Sequence, residues 1–84
     1  MHSLKKIGQV LHMYLGNKVI AKVKKTPKIG TTIFDIKKRP IGTVSDIFGP
    51  VESPYIEIKV KDQEAKKLIN SPIFILPKES ERKR

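Results

Sequence analysis

The sequence has no cysteine and no tryptophan, and only two Tyr and three Phe among 84 residues. The lack of Cys excludes a disulfide framework, a thiolate zinc site and a cysteine nucleophile. It fits a reducing compartment such as the cytoplasm. The two His, His2 and His12, stand apart without the spacing of a metal site. No glycine fingerprint for nucleotides is present, so no cofactor is expected. No apolar run approaches the ~20 residues that span a bilayer. The opening Met1-His2-Ser3-Leu4-Lys5-Lys6 leads into only short apolar pieces, unlike a signal peptide. Length excludes more: a chain this short makes one domain that buries only about 60% of its unfolded surface. Most enzymes need more scaffold around a pocket.

Acidic residues are scarce too, eight Asp and Glu against 18 Lys and Arg, for a net charge of +10. Such a field favours RNA, DNA or an RNA-rich assembly as surroundings. The plainer reading is a highly charged soluble protein from a warm or salty habitat. The charge is uneven. Residues 18–39 carry eight bases (Lys18, Lys22, Lys24, Lys25, Lys28, Lys37, Lys38 and Arg39) against Asp35 alone. Residues 40–60 carry only Lys59 against Asp46, Glu52 and Glu57, and are rich in apolar residues, Gly and Pro. This asymmetry predicts a basic surface and an apolar one, the latter suited to another protein.

What is abundant is Ile and Val, 18 together against five Leu and two Ala. β-branched residues suit a pleated sheet better than a helix, and Gly and Pro interrupt them at short intervals. The pattern predicts an all-β fold of six short strands over residues 6–14, 18–23, 31–37, 41–48, 55–61 and 73–76. Leu15-Gly16-Asn17 and Gly49-Pro50 read as turns, 26–30 as a loop and Arg39-Pro40 as a break. The clearest strand is 55–61, where Ile56, Ile58 and Val60 alternate with Glu57, Lys59 and Lys61. One short helical segment is expected over 62–70, with Asp62 as N-cap and Ala65, Leu68 and Ile69 on its apolar face. Residues 1–77 would form a closed or nearly closed barrel, which disposes of exposed sheet edges. Residues 78–84 read as a charged flexible tail.

Catalytic chemistry finds little support. His12 falls in a strand, where packing or solvation is its ordinary role. Asp46 and Glu52 flank the Gly49-Pro50 turn. They could do acid–base work only if held together in one dry cleft; a turn-stabilising Asp and a solvated Glu is the simpler reading. The basic run has no aromatic neighbour in sequence except Phe34, itself a core candidate, so phosphate contact is supported and base reading is not. The segment that stands apart is 40–55. Gly49 and Pro50 make a sharp turn, Pro54 stiffens the next strand, and Ile47, Phe48, Val51 and Tyr55 surround them. A rigid aromatic and aliphatic cluster has the composition of an interface hot spot. The same four side chains could instead fill the end of the barrel.

This segment, Gly42-Thr43-Val44-Ser45-Asp46-Ile47-Phe48-Gly49-Pro50-Val51 followed by Pro54-Tyr55, resembles the Gar subunit of H/ACA ribonucleoproteins, the particles that convert RNA uridine to pseudouridine. The opening Ile7-Gly8-Gln9-Val10-Leu11-His12 and the approach Lys38, Arg39, Ile41, Gly42 are similar too, and the likeness runs in order over residues 4–77. The resemblance implies a six-stranded split β-barrel like those of translation factors, with no catalytic residues. It implies direct binding to the catalytic domain of the H/ACA pseudouridine synthase, with guide and substrate RNA mostly indirect partners. It implies enhanced turnover through a mobile substrate-gripping loop of the synthase. The interface carries over to Ile47, Phe48, Gly49, Pro50, Val51, Pro54 and Tyr55, with Ile41 and Val44 as outer neighbours. Of these, Val44 is also a core candidate and Ile47 a candidate to point away from the partner. The sequence lacks the Gly/Arg-rich arms of eukaryotic members, so an archaeal, cytoplasmic form is expected.

A direct RNA-binding barrel of the ribosomal or translation type is the alternative. The basic set from Lys18 to Arg39 would then contact phosphate; under the first reading it meets RNA in the particle or an acidic patch on the synthase. The free subunit could also self-associate through its apolar patch.

Overall fold

The computed structural model describes residues 4–60 and 66–76. Six strands form: β1 (Lys5–Leu15), β2 (Lys18–Val23), β3 (Thr32–Phe34), β4 (Pro40–Phe48), β5 (Tyr55–Val60) and β6 (Pro72–Ile75). All pair antiparallel and close into a barrel in the order β1-β2-β5-β4-β3-β6. The all-β barrel expected from the sequence is therefore the fold. Alternation sets its interior. Val19, Ala21 and Val23 from β2 and Ile56, Ile58 and Val60 from β5 meet Val10, Ile33, Val44, Ile73 and Ile75 in one core.

Closure is uneven around the barrel. β3 and β6 meet at a single pair, Phe34 with Phe74, which makes this the thinnest seam. Elsewhere β1 crosses β2 so closely that a Cβ on Gly8 would run into the Lys22 carbonyl and the Val23 Cα. Only a glycine permits that approach.

Several elements differ from the sequence expectation. The third strand was expected over 31–37 but ends at Phe34, because Asp35 folds the chain into a turn. Its backbone N–H donates to the Arg39 carbonyl at 3.0 Å, and its own carbonyl accepts from Lys38 N–H at 2.9 Å. Asp35 Oδ1 accepts from the backbone N–H groups of Lys37 and Arg39, both at 2.9 Å. Lys38 takes φ 67°, a left-handed conformation that the Asp35 bonds hold. The expected break at Arg39-Pro40 spans residues 35–39 instead, since β3 ends at Phe34 and β4 starts at Pro40. Of the helical segment expected over 62–70, Asp62 and Ala65 lie outside the described residues; residues 66–68 make one 3₁₀ turn. Leu68 points into the core, whereas Ile69 is exposed. The tail at 78–84 also lies outside the described residues.

Candidate docking surface

A bulge in β4 decides which side chains reach the surface around the 49–54 turn. In an unbroken strand Val44 and Phe48, four residues apart, would share a face. The pairing instead shifts between Val44 and Asp46. Val44 faces Ile58 inside; beyond the bulge Ile47 pairs with Ile56, and Phe48 pairs with Tyr55. The extra residue flips the phase of the strand, so Ile47 packs against the core and Phe48 is turned outward. Ser45 sits at the bulge and its Oγ donates to Glu57 Oε1 at 2.8 Å, bracing β4 on β5. Asp46 Oδ1 accepts from Ile47 N–H at 2.8 Å, a local backbone role.

Two backbone hydrogen bonds and a buried proline tie the turn down. Gly49 takes φ 97°, which L side chains rarely adopt. Ser53 N–H donates to the Pro50 carbonyl at 3.2 Å, and the Pro54 carbonyl accepts from Val23 N–H at 3.1 Å. Pro54 is buried, so it pins the turn to the end of β2. On this base Phe48 and Tyr55 pack edge to face, ring centroids 5.9 Å apart. Phe48 is 42% exposed and Val51 is 95% exposed.

Of the residues singled out from the sequence, Phe48 and Tyr55 pack together, and Gly49, Pro50 and Val51 follow in the exposed turn beside them; these five form an apolar knob. Val44 and Pro54 are buried, so their side chains support the knob without facing a partner. Ile47 is half-buried against the core, and Ile41 is half-buried near the opposite end of β4.

The basic run does not form one face. Lys18 lies 3.8 Å from Glu57 Oε1. Lys22 and Lys24, joined by Lys6 of β1, line a groove of about 450 Å³ beside the turn, with Glu52 and Ser53 on its other side. Lys25 and Lys28 are exposed in the following loop. Lys37 and Arg39 line a separate groove at the β3–β6 seam, and Lys38 is exposed between them in sequence. The register also supplies an aromatic neighbour that sequence order concealed: Lys22 pairs with Tyr55 across β2 and β5, and both side chains stand outward. Phe34 is half-buried at the seam. His12 is exposed, and no group of three metal-ligating side chains forms among the described residues.

A family profile described as "Gar1/Naf1 RNA binding region" matches residues 4–83. The chain belongs to the Gar1/Naf1 family. This bears out the resemblance of the 42–55 segment to that family. The Gar1/Naf1 fold is also seen in the solved structure of the Gar1 domain of Naf1. It superposes with TM-score 0.69 at 20% identity, covering 88% of this chain and 85% of that one. Two relatives come from methanogenic archaea. An uncharacterized protein of Methanothermobacter thermautotrophicus is 38% identical over 56 residues, 67% of this chain and 61% of its own length. One of Methanocaldococcus jannaschii is 44% identical over 50 residues, 60% of each chain. The chain thus spans about three-fifths of the length of these relatives.

Proposed function

We propose that this protein is a non-catalytic accessory subunit of an H/ACA ribonucleoprotein. It docks on the catalytic domain of the pseudouridine synthase and promotes RNA-guided pseudouridylation of rRNA in the archaeal cytoplasm. The observation that carries the reading is the exposed apolar knob. Val51 is almost wholly exposed and Phe48 nearly half so, on a turn tied down by the Ser53–Pro50 and Val23–Pro54 hydrogen bonds. Apolar side chains held outward in one geometry lose little ordering entropy on binding. The adjoining Lys6, Lys22 and Lys24 suit acidic groups beside the apolar contact. The subunit acts on turnover only if it binds two positions of a synthase loop with different affinity, because equal affinity shifts no equilibrium. The test is reconstituted modification under multiple turnover. Addition of the subunit raises the rate, and a Phe48→Ser/Val51→Ser variant does not; equal stimulation by a folded double variant overturns the docking site.

A second reading, direct RNA binding, draws support from Lys22 standing opposite Tyr55 beside two further lysines. A base stacked on Tyr55 with its phosphate at Lys22 has the form of single-strand recognition. That reading requires protein-free RNA affinity with a steep salt dependence.

A further inference from the structure

The second groove lies away from the knob. It opens at the β3–β6 seam, between the 35–39 turn and residues 67–72, with a volume of about 460 Å³. Pro40 lies at this end of β4 and Phe48 at the other. The two sites therefore lie toward opposite ends of this nine-residue strand.

The groove has an apolar floor and a cationic rim. Ile41, Leu68, Pro40 and Pro72 supply the apolar lining, and Lys37, Arg39 and Lys67 line it against one acid, Asp35, which pairs with Arg39. Ile36, at 68% exposure, projects from the turn beside them. A lone exposed Ile means little, but this one sits in a turn whose backbone is held on both sides. Its neighbours Asp35 and Lys37 are tied by the Oδ1 bond, and Asp35 is tied again to Arg39 through backbone, Nε and guanidinium. Burial alone would raise the Asp35 pKa. The Arg39 N–H, the Arg39 charge and the Lys37 N–H outweigh it and hold the carboxyl below its ordinary value. The rim is therefore preorganised at neutral pH.

We propose that this groove is a second docking site, for an extended segment of a partner protein that carries apolar side chains flanked by carboxylates. The rim excludes like-charged occupants: residues 78–84 carry four bases against two acids, and a second copy of the chain brings a net charge of +10. The lining holds no aromatic ring, so bases of a nucleic acid strand find no stacking platform. Pro40 and Pro72 offer no N–H, so the segment is read through side chains rather than by strand addition. The groove shares no lining residue with the knob.

The test is an amide-shift titration of the isotope-labelled full chain with three probes. The first is a synthetic peptide with two central Leu between runs of Glu; the second replaces each Leu with Ser; the third is oligouridylate. The expected result is saturable shifts at Ile36, Ile41 and Leu68 with the Leu peptide. Affinity should fall at least about tenfold with the Ser peptide or with a Lys37→Glu/Ile36→Ser variant, both exposed positions. Equal binding of the Ser peptide reduces the site to diffuse charge and overturns the proposal. Stronger shifts with oligouridylate make it an RNA site, and no shift at millimolar Leu peptide removes it altogether.

Discussion

Val51→Ser separates docking from folding more cleanly than any other substitution at the knob. Val51 is 95% exposed, so the fold gains almost nothing from its side chain. The stability change is expected within about 0.5 kcal/mol, the range of ordinary surface substitutions. For a domain of this size that is a shift of roughly 2–4 °C in Tm. Docking is another matter, because a Val side chain taken from water into an apolar contact contributes about 1.5–3 kcal/mol. At about 2 kcal/mol, the synthase Kd should rise roughly 30-fold. Phe48 is less clean. More than half of it is already buried and it packs on Tyr55, so its removal costs the fold as well. The assay is calorimetric titration of synthase with wild-type and Val51→Ser chains, with thermal unfolding followed by circular dichroism. A folded Val51→Ser chain that binds within threefold of wild type refutes the assignment of the knob as the docking surface.

The other expectations are shorter. Asp35→Ala removes the acceptor of two backbone N–H groups and of Arg39; denaturant unfolding should show a loss of about 2 kcal/mol, and a loss below about 0.5 would contradict the role given to this turn. Because the folded pKa of Asp35 lies below its ordinary value, its contribution is fully present above the unfolded pKa and drains as pH falls through the folded one. The acid limb of the stability curve should accordingly flatten in Asp35→Asn. Gly8→Ala drives a Cβ into the Lys22 carbonyl and should cost about 3 kcal/mol or prevent folding, whereas Gly16→Ala meets open space and should cost within about 1 kcal/mol. Lys22→Glu/Lys24→Glu should change synthase association a few-fold and reduce its salt dependence; abolished function, with lost RNA affinity, would favour the direct RNA reading.

Much of the fold was legible because alternation is a local signal. β5 shows it in Ile56, Ile58 and Val60, and β2 in Val19, Ala21 and Val23, all of which are core residues. The order of strands was not legible, since β2 pairing with β5 and β3 with β6 depends on contacts far apart in sequence. The third strand was read too long because Thr31-Thr32-Ile33-Phe34 runs into Asp35-Ile36 without Gly or Pro. What stops it is the set of hydrogen bonds collected by one Asp side chain. Within the site, the motif marked the right turn but not the direction of its side chains. That depends on the single bulge at Ser45, whose only mark in sequence is a serine between Val44 and Asp46. The Lys22–Tyr55 neighbourhood was hidden for the same reason: it exists only once β2 lies against β5.

The most direct test is capture of the H/ACA pseudouridine synthase by the purified chain, with and without nuclease. Binding that survives nuclease and is lost with Phe48→Ser/Val51→Ser is the predicted result, and places function in protein–protein contact through the turn. Binding abolished by nuclease would make RNA the bridge, and Lys6, Lys22 and Lys24 beside Tyr55 the primary site.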